Sequence, residues 1–587
     1  MKASPTILCP YGYSHGTCGY CSPPGERSHK KESSKYGIIA KQLSPQYYQM
    51  LMDRGWRRSG NYVYHPDMAR TCCPQYTIRL DAFNFKSNKK QKQVVNRFNR
   101  YLEQGIKPGE QMVVEGQKES GKGGKGKAGR GKANGSSRDV VSEVHAFEIG
   151  YGREGDALHR FETQIVPAKA TEEVFKMYKT YQISVHHDKP EDVTMRGFDR
   201  FLCSGPLIVT PIKYEDEETG KKGVQEGRLP ENYGPYHLLY KVDGELIAIS
   251  VLDITPLGVS SVYCIWNPDW AWASLGKVTA LYEVSLARCL GAAGAGKEFG
   301  GTGVKWVYMG YWVPDCQKMK YKSEYAPSYL LDPGTNVFHE LTPDVETYLV
   351  NHPRGYFPFK DIEAEVKKSQ AKKPDVPSVP KSPITVASNK VGPEGDEDSD
   401  EEGEPGHLPI PPPPGFANPA AISEKEVDEV LVLLSLRKSY FAEKQLFQIS
   451  ELEFIDRDYV RETIRQMLAA VGKEWIANEH DRVAGAAAEK GILFLGQVLC
   501  VPPSTGAIEQ TNITWKIRHS RPLLVEVSVQ DKGATGFDFN KEKPEERLCQ
   551  PEEIIISKVS SLIEELTSRS AASTILLIGI SRVFAPL

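Results

Sequence analysis

Cys18 and Cys21 are separated by two residues in CGYC, and Cys72 and Cys73 follow in TCCP. The CxxC spacing lets two thiolates reach one metal from a single tight turn, and the later pair can complete a set of four. Four thiolates suit tetrahedral zinc or an iron–sulfur cluster, and sequence does not separate the two. Consecutive side chains diverge, so either one of the adjacent pair stays out of the set, with His15 as a substitute ligand, or the local chain bends to bring both in. The bland alternative is four inert buried thiols. Of the 11 cysteines, five lie in the first 73 residues. In a reducing compartment such clustering points to metal or redox chemistry before disulfides.

The elements that would position these groups follow from periodicity. Ser44 caps a short helix over 45–55, ended by Gly55. Residues 77–85, TIRLDAFNF, alternate as a strand. Residues 89–104 form a basic helix with Val94, Phe98 and Leu102 on one stripe. Helical segments are expected at 170–181 and 196–202. Residues 237–242 and 245–253 flank an Asp-Gly turn and predict a hairpin. Strands at 259–266 and 306–312 bracket a helix after Ser274 with the stripe Val278, Leu281, Tyr282, Leu286 and Leu290. Strands alternating with helices predict an α/β or α+β fold on a mixed sheet.

The domain plan is an N-terminal cysteine-rich domain over 1–104 and a basic Gly/Lys linker over 105–142. A second domain covers 143–355, an acidic and Pro-rich linker 356–420, and a further folded α/β region 421–587. That last region has helical periodicity in VDEVLVLLSL and YVRETIRQMLAAV and closes on a strand, TILLIGI. Both linkers are disordered by composition.

The first 150 residues carry 25 Lys+Arg against 12 Asp+Glu, while the rest carries 48 against 64. A basic front half favours a polyanionic partner. No run of 18 apolar residues occurs and Pro and Gly interrupt the start of the chain, so no membrane partner and a cytoplasmic or nuclear home are expected.

Three ordered blocks, CGYC…TCCPQYTIRLDAFNF, then HLLYKVDGELIAISVLDITPLGVSSVYCIWNPDWAWASLGKVTALYEVSL, then YMGYWVPDCQKMKYKSEYAPSYLL, resemble the eukaryotic arginyl-tRNA–protein transferases. The resemblance covers residues 7–104 and 144–350, and extends more distantly to the bacterial aminoacyl-tRNA–protein transferases. It implies a core related to the GNAT acyltransferases, with a small metal-binding N-terminal lobe and a separate C-terminal unit. It implies transfer of arginine from Arg-tRNA to proteins beginning with Asp, Glu or oxidised Cys, which creates an N-degron. It also implies a zinc or iron–sulfur centre at Cys18, Cys21, Cys72 and Cys73.

An aminoacyl ester is already activated, so no ATP is needed, and no P-loop pattern is present. For proton traffic the candidates are Asp253, Glu283 and His237, with Glu283 placed among apolar neighbours that would raise its pKa. Arg79, Lys318 and Lys322 are candidates for an acidic side chain or the tRNA end. Tyr308, Tyr311 and Tyr321 are candidates for the terminal adenosine, and the helix start at Ser274 for a phosphate. Solvated lysines, core aromatics and an ordinary helix start are the competing explanations. Two other classes stay open: an RNA-binding or metal- and oxygen-sensing protein without transferase activity, and a GNAT-type acetyltransferase using acetyl-CoA.

Overall fold

The computed structural model describes residues 6–22, 26–108, 139–371, 406–428, 430–433, 446–448, 457–472, 492–494, 512–518 and 524–530. The chain divides into two units, 1–496 and 497–587. No helix among the described residues is long and apolar enough to cross a membrane.

In the first unit the early strands are β1 (Ile7–Gly16), β2 (Ser33–Gln42), β3 (Arg57–Ser59), β4 (Tyr62–Pro66) and β5 (Tyr76–Asp81). They are followed by β6 (Phe161–Pro167), β7 (Thr210–Pro211), β8 (Asn232–Val242), β9 (Glu245–Thr255), β10 (Gly258–Trp266) and β11 (Trp306–Trp312). The later ones are β12 (Ser328–Asp332), β13 (Val337–Glu340), β14 (Leu431–Leu433), β15 (Leu446–Gln448) and β16 (Ile492–Phe494). The longer helices are α1 (Pro45–Asp53), α2 (Lys89–Gln104), α3 (Glu172–Tyr181), α4 (Leu275–Ala292), α5 (Phe359–Ala371) and α6 (Arg457–Val471).

Two mixed sheets result. The smaller runs β15-β14-β16-β1-β2-β4-β3, and the larger β13-β12-β5-β11-β10-β9-β8-β6, with β7 beside β8. The N-terminal segment therefore does not fold apart from residues 143–355. Its strand β5 lies inside the larger sheet, antiparallel to both β11 and β12. Tyr76, Ile78 and Leu80 of β5 and Val94, Phe98 and Leu102 of α2 are buried in the same core as α4. The expected boundary between 1–104 and 143–355 is crossed by that shared core.

Local signals explain the element ends. Ser44 accepts the N–H of Tyr47 at the start of α1. Asn88 and Gln91 form a capping box on α2, which Gly105 ends in the left-handed region. β5 stops earlier than the alternation suggests, because the Asp81 carboxylate accepts the N–H groups of Phe83 and Asn84 and turns the chain. Helix α4 is buried on all sides: Glu283, Val284, Ser285 and Ala287 are covered as well as the expected stripe.

Three expectations change. Residues 359–371, placed in a linker, form α5, and residues 406–428 pack on the smaller sheet through Leu408, Phe416 and Ile422. VDEVLVLLSL is not a helix: β14 occupies 431–433, because an unbroken apolar run suits a strand paired on both sides. α6 matches the expected helix, whereas TILLIGI and most of the Gly/Lys segment lie outside the described residues. The second unit shows one hairpin, β17 (Asn512–Arg518) and β18 (Leu524–Gln530).

Candidate active site and metal centre

The geometry of the larger sheet creates a gap at its middle. β10 and β11 pair in parallel only at Gly258–Ser260 with Trp306–Tyr308, although both strands continue. Beyond that point β11 carries a bulge between Tyr308 and Tyr311, with Gly310 at φ +66°, and the strands part.

Glu283 of α4 lies under this splay. It is buried and accepts the Ser250 hydroxyl at 2.8 Å. Burial raises its carboxyl to about 7, against the opposing pull of the Ser250 and Ser261 hydroxyls. Ser261 is half-buried at the first unpaired turn of β10, so it connects the carboxyl to the gap.

The other acid–base candidates are elsewhere. Asp253 points to the opposite face of β9 and is held by Arg58 through Nε (2.8 Å) and Nη2 (2.5 Å), both residues buried. That closed ion pair joins β3 of the smaller sheet to β9 of the larger one. His237 is buried, with Nε2 3.1 Å from Leu202 O and Cys203 Sγ at 4.0 Å, and burial lowers its pKa. The structure does not bring Asp253, Glu283 and His237 together.

Arg79 has no open face. Trp306 and Phe338 cover its guanidinium at 3.9 and 3.6 Å, and Nη1 meets Asp53 at 3.1 Å. Tyr308 is fully buried and donates to Asp53 at 2.6 Å, while Tyr311 donates to Gly55 O at 2.9 Å. Both rings therefore pack between sheet and lobe and present no stacking surface. Tyr321 is 40% exposed. Lys318 is exposed and Lys322 is buried, with its pKa lowered to about 7 by burial and by Arg57. Ser274 starts α4 at φ 54° without capping it, and its hydroxyl accepts from Arg97 at 2.8 Å.

Cys18, Cys21, Cys72 and Cys73 bring their sulfur atoms within 4.8 Å of one another. Cys21 and Cys72 stand 3.8 Å apart, and Cys72 and Cys73 4.0 Å. A tetrahedron with Zn–S bonds of about 2.3 Å has edges near 3.8 Å, so the donor set fits one ion with small movements. Consecutive cysteines do converge, and His15 is not needed: its Nδ1 lies 2.9 Å from Ser34 Oγ. The thiols of Cys72 and Cys73 donate to Cys18, which lowers its pKa and raises theirs. Two further residues belong to this corner. Arg354 Nη1 donates to Cys73 Sγ (2.7 Å) and Cys72 O (3.0 Å), and Cys316 packs against Cys18 and Cys73. Sequence offered no signal for Arg354, which lies 281 positions from Cys73.

The N-terminal model of the arginine-tRNA-protein transferase family matches residues 16–93, and the C-terminal model matches 173–332. Arginyl-tRNA–protein transferase 2 of Arabidopsis thaliana is 27% identical over 467 residues, covering 56% of this chain and 74% of the relative. Arginyl-tRNA–protein transferase 1 of Drosophila melanogaster is 28% identical over 438 residues, covering 59% and 84%. An aspartate/glutamate leucyltransferase of Campylobacter jejuni is 31% identical over 107 residues, covering 18% and 39%.

Proposed function

The chain belongs to the arginyl-tRNA–protein transferase family, and on that footing we propose that it transfers arginine from Arg-tRNA to the α-amine of proteins beginning with Asp, Glu or oxidised Cys, marking them for degradation. The observation that carries this is the meeting of both family segments on one sheet: β5 from the first lies beside β11 from the second, and Glu283 lies under the adjacent splay.

The splayed strands give the core a GNAT-like acyltransferase character, and the gap is where ester and amine meet. Glu283, poised near 7, takes the proton of the acceptor ammonium by way of Ser261. The amine attacks the ester carbonyl, and backbone N–H groups along the unpaired strand edges stabilise the oxyanion. The tRNA 3′ oxygen leaves with a proton. Holding both substrates in the gap supplies much of the acceleration. The exposed lysines of α2, Lys89, Lys90 and Lys92, with Arg97 at the start of α4, form a face for the tRNA backbone.

The four cysteines hold a metal, and their spacing favours a single zinc over a cluster, which sets its cysteine sulfurs farther apart. Bound there, the ion is a structural clamp on the lobe. No ATP enters the reaction.

The test is to incubate the full chain with several radiolabelled aminoacyl-tRNAs and peptides beginning with Asp, Glu or Ala, free or N-acetylated. Label should pass from Arg-tRNA to the free Asp and Glu peptides alone. Labelling of the acetylated peptides to the same extent rejects α-amine transfer.

A further inference from the structure

Among the described residues, two cations lie buried near each other with no carboxylate partner. Arg57 is 6% exposed and Lys322 8%. Lys322 Nζ donates to Tyr311 O at 2.7 Å and Met319 Sδ at 3.2 Å. Arg57 Nη1 donates to the carbonyls of Met52 and Trp56, Nη2 stands 3.5 Å from Gly310 O, and Nε has no partner. Both groups flank Gly310, where an added Cβ would lie 3.9 Å from Lys322 Nζ. Carbonyls solvate these charges without neutralising them. Two like charges kept together in low dielectric carry a cost that an anion would relieve.

A cavity of about 310 Å³ opens beside them, lined by Tyr11, Lys35, Ser59, Tyr62 and Tyr64. Strand register explains the proximity. Arg57 pairs with Tyr64 and Ser59 with Tyr62, so all four side chains share one face of the smaller sheet. Gly37 is opposite Tyr64, and a Cβ there would fall 2.5 Å from the Tyr62 ring, so bare backbone makes the room. Tyr64 and Tyr311, with ring centres 6.1 Å apart, form the wall between the cavity and the two cations. The lining presents hydroxyls and one ammonium, and no carboxylate. A space of this size takes one or two amino-acid residues.

We propose that this cavity receives the first residue of the acceptor protein, with Lys35 and the tyrosine hydroxyls holding its acidic side chain in the field of Arg57 and Lys322. The assignment rests on the arginyl-transfer reading and names specificity-determining residues for it. Fixed positive charge serves both needs of such a site, because it attracts the acid and favours the neutral, attacking form of the nearby α-amine. Arg79, closed between two rings, is not needed for this task.

The test uses the full chain and its Lys35→Met, Lys35→Arg and Tyr64→Phe variants. Kinetics with Asp- and Glu-starting peptides, the Kd for Arg-tRNA, and the Kd of fluorescent Asp- and Ala-starting peptides without tRNA are measured. Lys35→Met should raise KM for the acidic peptides at least tenfold while kcat and the tRNA Kd stay within twofold. Lys35→Arg should recover most of the loss, and Tyr64→Phe should show a smaller KM effect. An unchanged peptide KM in Lys35→Met overturns the proposal, and a weakened tRNA Kd with unchanged KM makes the cavity a nucleotide pocket instead. Were the wild type to transfer no arginine, the transferase reading would fail while the peptide-binding arm still decided the cavity. Tighter binding of the Asp than the Ala peptide, lost in Lys35→Met, supports it; equal binding by the wild type rejects it.

Discussion

Glu283 shows how one buried side chain can set a pH response in two opposite directions. As a base it must be ionised, so kcat should rise through about pH 7, and Glu283→Gln should lower kcat about 10²- to 10⁴-fold and remove that limb. Stability runs the other way. Its folded pKa, about 7, stands above the ordinary 4.5, so its contribution is complete below about pH 4.5 and is lost as pH rises through 7. Urea titrations from pH 5 to 8 should show wild type weakening relative to Glu283→Gln. Asp253 offers a contrasting test, because its partner Arg58 is buried with it. Asp253→Ala should destabilise by about 3–5 kcal/mol, whereas Arg58→Leu with Asp253→Leu should cost much less, since no unpaired charge remains. Equal losses in the single and double variants would argue against an uncompensated charge. Glu283's environment was legible in sequence, because apolar neighbours flank it along the helix. The Asp253 pairing was not: its partner lies 195 positions away on a three-residue strand, and nothing local announces it.

Elements were legible where local chemistry punctuates them. α2 begins at a capping box and ends at a left-handed glycine, so its bounds follow from residues 88–105 alone. β14 was not legible, because a continuous apolar run has no period to distinguish helix from strand, and strand neighbours decide the outcome. Strand β5 begins three residues after Cys73, so the cysteine corner and the central sheet share a stretch of backbone. Removing the metal should therefore loosen more than the lobe. Metal content of Cys73→Ser should fall against wild type, and hydrogen exchange at Ile78 and Leu80 should speed up; unchanged exchange would confine the metal's influence to the lobe. The α2 face makes a separate prediction. Changing Lys89, Lys90 and Lys92 to Ala should weaken Arg-tRNA binding and reduce the salt slope by roughly 2–3, measured as log Kd against log salt. A slope that does not move would place the tRNA backbone elsewhere.

At the scale of the whole molecule, the sequence suggested two domains joined by a basic linker, and the structure shows one interlocked core. Composition marks where a chain stops contributing to a core, but it cannot say that the segments on either side complete each other's sheet. The prediction is direct. A protease site engineered into 109–138 should yield two fragments that stay associated and keep full transfer activity, because β5 remains between β11 and β12. Fragment 1–108 expressed alone should be insoluble or unfolded, and its co-expression with the rest should restore the fold. Separation of the cut pieces by gel filtration would count against the interlock.

The same arrangement has a consequence for biosynthesis. β5 has its sheet neighbours only after β11 and β12 exist, and β12 ends at Asp332, 251 residues beyond Asp81. At translation rates of about 5–20 residues per second, roughly 12 to 50 seconds pass in which a finished apolar strand and four thiols wait on the ribosome-bound chain. During that interval the thiols are open to whatever metal or oxidant is at hand, and the strand has both edges bare. Metal delivery and chaperone cover are thus timing requirements of this topology, and the oxygen and zinc present during synthesis should decide the yield of active protein more than those present afterwards.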